Sequence, residues 1–246
     1  MKLEGKTAII TGAGGHLGRG TAKLLAQEGA RVLINDVNLA EAEKTVDIIV
    51  QKGGHAVADG SDVTKSDDVN KMVAKVLETW GQIDILVNNA GDIRDALLPK
   101  MTDEQWDFVI DLNLRGSFNC ARAVASHMIE RRYGKILNTA SMAYKGNVGQ
   151  ANYSAAKSGV VGLTWAIGLE LARYNINVNC IAPGMIETPR TETLDERTLE
   201  RIVKLTPMRR MGEISDIANA VLFLVSDDSK FITRQVIHVS GGMEGF

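Results

Sequence analysis

Tyr153 and Lys157 stand four residues apart at the start of an apolar-periodic run, a spacing that puts both on one face of a helix. A free phenol gives up its proton at about pH 10. A neighbouring ammonium favours the phenolate and makes such a tyrosine a usable general base near neutral pH. Ser141 follows an apolar strand, and Asn113 sits inside a helical stretch between Leu112 and Leu114. A polar side chain in that setting needs a partner. Each residue alone has a plainer reading: an ordinary tyrosine, a surface lysine, a loop cap, a buried amide. Brought to one crevice, the four could move a proton to or from an oxygen atom.

The elements that would position them alternate without a break. Apolar runs at Thr7–Ile10, Val32–Ile34, His55–Ala58, Ile83–Val87, Lys135–Asn138, Asn175–Ile181 and Gln235–Val239 read as strands. Helical patterns separate them: 17–26, Leu39 to about Lys52, Val69–Thr79, one long helix from Thr102 to about Arg131, Tyr153–Ala172, and about Glu213–Val225. Thr102 and Gln105 form an approximate capping box for the long helix. The stretch from Gly184 to Met211 reads as looser. Near-continuous apolar strands spaced by helices imply a parallel sheet covered on both faces. The fold class is α/β: a single doubly wound domain over 1–246, about seven parallel strands, with ligands at the carboxyl ends of the strands.

Thr11-Gly12-Ala13-Gly14-Gly15-His16-Leu17-Gly18 lies where the first strand meets the first helix. Gly12 permits the tight turn and Gly18 lets the helix lie close to the sheet. Between them, backbone N–H groups around Gly15, His16 and Leu17 can face a pyrophosphate. Asp36 ends the second strand, where a carboxylate accepts both ribose hydroxyls of NAD and repels the extra phosphate of NADP. No arginine stands at Gly15 or Val37 to welcome that phosphate, so NAD is the expected cofactor. Asp62 could accept from the adenine amino group, with Val63 supporting the ring. Asn88-Asn89-Ala90-Gly91 offers small residues for the close passage of a flat cofactor, and its amides can tie strand ends together. Asp36 also reads as a solvated turn residue, and Asn88–Gly91 as a simple turn.

Composition excludes other classes. With 45% hydrophobic and 24% charged residues the chain is globular, and a formal charge of -2 gives no basic excess for nucleic acid. Two cysteines make no disulfide framework, and His16, His55, His127 and His238 are too scattered for a metal site. No apolar run is long enough to span a membrane, and the N-terminus leads straight into a strand without a signal peptide. A cytoplasmic protein without metal, nucleic-acid or membrane partners is expected.

These pieces together resemble a classical short-chain dehydrogenase/reductase, across essentially the whole chain. The matching residues are Thr11–Gly18, Asp62-Val63, Asn88–Gly91, Asn113, Ser141, Tyr153–Lys157, Pro183-Gly184, and the tail from Phe231–Gln235 through Ser240–Gly242. The resemblance implies a Rossmann-like fold. It implies Tyr153 as acid/base, Lys157 holding the nicotinamide ribose and lowering the tyrosine pKa, Ser141 positioning the substrate oxygen, and Asn113 holding a relay water. Pro183, Gly184 and Ile186 would lie beside the nicotinamide, and Thr188 would bond its carboxamide. Hydride would pass between NAD and a secondary alcohol or ketone. Two positions depart from the family: His16 stands where it has a third glycine, and Arg234 where its tail usually has glycine. Both raise the alternative of a non-catalytic or partner-dependent subunit.

The substrate pocket is expected around Arg94, Met142, Ala143, Tyr144 and Met185, with a small lid near 188–207. The chain is similar to the 3-oxoacyl thioester reductase and 3-hydroxyacyl-CoA dehydrogenase branch. With NAD, that favours oxidation of a hydroxyacyl-CoA. A cyclic or aliphatic alcohol dehydrogenase and a 3-oxoacyl carrier protein reductase are the alternatives. Arg131, Arg132 and Arg173 lie where that branch presents positive charge to carrier protein or CoA phosphates, although arginines there also suit a helix C-terminus. The resemblance implies a homotetramer, with Phe118 and Trp165 as candidate contacts; a mixed assembly with a related chain is the alternative.

Overall fold

The computed structural model describes residues 1–245, apart from the side chains of Arg190 and Glu192. Seven strands form one parallel sheet: β1 (Thr7–Thr11), β2 (Arg31–Asn35), β3 (His55–Asp59), β4 (Ile85–Asn88), β5 (Gly134–Thr139), β6 (Ile176–Pro183) and β7 (Val236–Val239). Their order is β3-β2-β1-β4-β5-β6-β7, so the winding reverses between β1 and β4. That reversal opens a crevice at the carboxyl edge, where open α/β sheets bind ligands. Helices α1 (His16–Gln27), α2 (Leu39–Val50) and α9 (Ile214–Val225) cover one face; α3 (Ser66–Trp80) and α5 (Gly116–Arg131) cover the other.

Alternation along the strands feeds both faces. Ile10, Val32 and Ile34 join Leu25 and Val221 in one core, while their neighbours Ile9 and Leu33 join Met72, Val124 and Met128 in the other. A smaller cluster lies beneath α6 (Ala151–Leu171), built from Met142, Val160, Val161, Cys180 and Ala182. Among the described residues, no helix is long and apolar enough to cross a membrane.

Two segments depart from the expected elements. The long helix is not one α-helix: α4 (Asp103–Ile110) and α5 are joined by a π-helical turn, Asp111–Arg115. Its start does carry a full capping box, with Gln105 N donating to Thr102 Oγ1 at 3.2 Å and Thr102 N to Gln105 Oε1 at 3.0 Å. The stretch read as loose contains α7 (Pro189–Glu192) and the ten-residue α8 (Glu196–Leu205). Asp195 caps α8 by accepting from Thr198 N at 2.9 Å. Ile202 is its one buried residue among those described, and the stretch reads as loose because Pro189 and Pro207 bracket this short amphipathic helix.

Candidate active site

The first turns of α6 project Tyr153 and Lys157 toward the carboxyl end of β5. Lys157 Nζ donates to Thr139 O at 2.7 Å and lies 5.5 Å from the centroid of the Tyr153 ring. Its ammonium is 3% exposed, and that burial pushes its pKa down to about 8. Ser141, just past β5, accepts at Oγ from Ala143 N at 3.2 Å and caps the short turn Met142–Lys145.

Asn113 sits in the π-helical turn and is fully buried. Its Nδ2 donates to Asp92 O and to Val109 O, both at 2.9 Å. Its Oδ1 has no hydrogen-bond partner. A side chain at Gly91 would bring a Cβ within 3.4 Å of Lys157 Nζ and closer still to Asn113 Oδ1. The glycine therefore keeps open the space between an orphaned acceptor and the buried ammonium, and an unpartnered buried acceptor calls for a donor such as water.

Gly91, Ser141, Tyr153 and Lys157 border one cavity of about 830 Å³, while Asn113 lies behind Gly91 and does not line it. Of the expected residues, Leu17, Asn89, Gly91, Ser141, Ala143, Tyr153, Lys157, Pro183, Gly184, Met185, Ile186 and Thr188 line it. Three expected pocket residues do not. Met142 is packed wholly into the core beneath α6. The Tyr144 hydroxyl is paired with His238 Nε2 at 3.0 Å. Arg94 is exposed, bonded to Asp92 Oδ2 at 2.5 Å and stacked 4.1 Å from the Phe108 ring centroid. Nearness in sequence to Ser141 and Gly91 gave no information about which way these side chains face. Sequence reasoning missed Asp95, Asn147 and Gln150 on one wall and Thr198, Arg201 and Leu205 on α8. The α8 residues had a usable signal in the Asp195 cap and the three- and four-residue spacing after it.

The nucleotide half lies along the neighbouring strand ends. Gly12 has φ +62°, and a Cβ there would meet Ala90 Cα at 2.8 Å. A Cβ on Gly18 would lie 2.5 Å from Gly12 O. Both positions need glycine. The α-helix begins at His16, after Gly15, so His16 takes ordinary helical backbone and its exposed ring needs no glycine freedom. Asp36 accepts at Oδ2 from Gly14 N at 3.1 Å and at Oδ1 from Asn38 N at 3.0 Å. The nearby cation, Arg19, is committed to Glu41 at 2.8 Å, Gly14 O at 2.6 Å and Thr45 Oγ1 at 2.9 Å.

The amides at the end of β4 act as ties. Asn89 Nδ2 donates to Thr11 O at 2.9 Å and Gly12 O at 3.2 Å, while Asn88 Nδ2 bonds Asn138 Oδ1 at 2.8 Å. Asp62 Oδ1 accepts from Thr64 N and Oγ1, at 2.9 and 2.7 Å, and Val63 is buried against Gly116. Arg234 adopts φ +63° and donates from Nε to Trp165 O at 3.1 Å, covering Gly168 of α6. Among the described residues, no group of three or more His, Cys, Asp or Glu side chains is placed to hold a metal ion.

The glycine cradle, the Asp36 carboxylate and the orphaned Asn113 amide fit a dinucleotide laid across the β1/β4 reversal. The fold is thus a doubly wound α/β domain with a candidate dinucleotide site. A family model described as Enoyl-(Acyl carrier protein) reductase matches residues 12–244. The chain belongs to the short-chain dehydrogenase/reductase family, whose members bind a nicotinamide cofactor.

It is 42% identical over 246 residues to the (2S)-[(R)-hydroxy(phenyl)methyl]succinyl-CoA dehydrogenase subunit BbsD of Thauera aromatica, covering 100% of this chain and 99% of that protein. It is 44% identical over 244 residues to the 3-oxoacyl-[acyl-carrier-protein] reductase FabG of Thermotoga maritima, covering 99% of each. A solved structure of a candidate gluconate dehydrogenase from Agrobacterium tumefaciens superposes with a TM-score of 0.96 at 34% identity, covering 100% of this chain and 98% of that one.

Proposed function

We propose that this protein is an NAD-dependent dehydrogenase that oxidises the hydroxyl of a 3-hydroxyacyl-CoA to the oxo group. The observation that carries the reading is the convergence of Ser141, Tyr153 and Lys157 on one cavity, with the open acceptor of Asn113 behind Gly91. Residues 1–246 act as one catalytic domain, with the segment near 188–207 as a small lid. The thioester substrate is supported by the names of the two relatives, one a CoA thioester dehydrogenase and the other an acyl carrier protein reductase.

The bound nicotinamide supplies the hydride acceptor for oxidation, or the donor for the reverse reaction. The Tyr153 phenolate takes the alcohol proton. Ser141 Oγ donates to the oxygen as it becomes a carbonyl. The Lys157 ammonium lowers the energy of the phenolate and holds the ribose. Asn113 Oδ1 accepts from a water that carries the proton toward solvent. Asp36 binds the ribose hydroxyls. With Arg19 committed to Glu41, no free cation is left beside Asp36 among the described residues to favour a 2′-phosphate, which supports NAD over NADP.

Exposed Phe118, Trp165 and Leu169, at 42, 48 and 65%, support an oligomer joined across α5 and α6, expected as a homotetramer. That the Thauera relative is named a subunit keeps a mixed assembly in view.

A second reading, reduction of a 3-oxoacyl chain on carrier protein, is favoured by the 44% identity to the Thermotoga reductase. Of the arginines expected to face a carrier, Arg131 is bound to Asp84 Oδ1 at 2.9 Å and Ile83 O at 3.2 Å, while Arg132 bonds Arg173 O at 3.1 Å. The test is a fluorescence titration with NADH and NADPH, then turnover of matched CoA and carrier-protein thioesters. Tighter NADH binding with turnover on CoA supports the first reading. NADPH preference with turnover only on carrier protein replaces it with the second. Failure of both cofactors to bind would end the independent-enzyme reading.

A further inference from the structure

The cavity is lined by three charged side chains: Asp95, Lys157 and Arg201. Two are already occupied. Lys157 is bonded to Thr139 O, and Asp95 accepts from Gln150 Nε2 at 3.1 and 3.2 Å. Arg201 makes no hydrogen bond or ion pair among the described residues. The Arg197 side chain, one turn earlier, is likewise unpaired among the described residues but does not line the cavity, whereas Arg209 donates to Lys204 O at 2.6 Å and Arg210 grips Asp216 through both terminal nitrogens at 2.7 and 3.2 Å.

Arg201 is exposed, yet it lies on the stripe of α8 that borders the cavity. Thr198, Arg201, Ile202 and Leu205 follow one another at three- and four-residue spacing, and all four line the cavity. Its companions there are apolar or neutral. Arg197 and Lys204, on the same helix, do not line it. A guanidinium offers a planar fork that matches a carboxylate.

We propose that Arg201 is a specificity-determining residue that binds a free carboxylate at the far end of the acyl chain, so that the preferred substrate is a 3-hydroxyacyl thioester of a dicarboxylic acid. This inference rests on the thioester dehydrogenase reading above. Tyr153 and Ser141 hold the reacting hydroxyl at the floor, and Arg201 grips the distal carboxylate from α8. The phosphates of CoA offer the same anionic chemistry from another source, and the test separates the two.

The wild-type protein would be assayed with NAD on 3-hydroxyadipoyl and 3-hydroxyhexanoyl chains, each as the CoA thioester and as the N-acetylcysteamine thioester, which carries no phosphate. Expected is a preference of about 10- to 100-fold in kcat/KM for the carboxylated chain on either carrier, expressed mainly in KM. Arg201→Met collapses that ratio toward one, and Arg201→Lys restores part of it. NADH titration checks that each variant is folded. Turnover of the uncharged chain with no wild-type preference overturns the inference and leaves the dehydrogenase reading intact. A loss on Arg201→Met that follows CoA on both chains and is absent on both N-acetylcysteamine thioesters also overturns it, assigning Arg201 to the phosphates. If the wild type binds NADH and turns over none of the four thioesters, both readings fall together.

Discussion

The floor and the roof of the cavity are built by opposite means. On the floor, Asn113 and Lys157 are buried and bonded to backbone carbonyls, and Asn88 and Asn138 lock the strand ends beneath them. Roof helix α8 has one buried residue among those described, and Leu205 is 47% exposed. The floor contacts are directional bonds, to β5, to α4 and to the loop residue Asp92, so their geometry is fixed. The roof rests on a few apolar contacts. On the proposed reading, the roof can change without moving Tyr153 or Lys157.

Replacing Tyr153 by Phe strikes the floor hardest. Turnover should fall about a thousandfold while the thermal midpoint stays within a few degrees, measured by steady-state rates and calorimetry. A drop below tenfold would place the proton transfer elsewhere.

The second way to sharpen the contrast is through pH. Lys157 titrates near 8 when folded, below its ordinary 10.5, so the unfolded chain holds the proton more tightly. The penalty for burying the ammonium is complete below pH 8 and fades as the pH rises toward 10.5. Stability from this residue therefore rises across that window, by up to about 3 kcal/mol. Denaturant unfolding should show this rise in the wild type relative to Lys157→Met; parallel profiles would mean that the ammonium is better solvated than its burial implies.

Asp36→Ala should weaken NADH about tenfold and change NADPH little, narrowing the selectivity read by fluorescence titration. Equal weakening of both would remove Asp36 as the discriminator. The smallest effect belongs to the roof: Leu205→Ala should change stability by less than about 1 kcal/mol while raising the thioester KM severalfold. A larger loss of stability with unchanged KM would make α8 part of the structural core.

The floor was legible in the sequence because its residue types are rare in their settings. An amide between two leucines, a tyrosine and lysine one helical turn apart, and glycines at a strand–helix junction each stand out against the apolar pattern. The seven strands were legible because a doubly covered parallel sheet writes itself as apolar runs. The roof was not, because Pro189 and Pro207 bracket it and make the stretch read as loop although α8 is amphipathic. Met142 and Tyr144 were misplaced because the turn after Ser141 sends one side chain into the core and commits the other to His238. The π-helical turn left no mark in composition at all.

That turn acts as a phase shifter. A five-residue π-helical stretch adds width to an otherwise continuous rod, so the apolar stripes of α4 and α5 are not one stripe. The first half of the rod packs on α6, and the second reaches α3 and β4. Asn113 sits at the point of slippage. Its role is therefore carried by angular position as much as by side-chain identity. A one-residue deletion within 111–115 would keep an asparagine in the sequence, yet rotate it by about 100° and point one half of the rod the wrong way. The segment should thus tolerate substitutions on its outer side far better than any change in length.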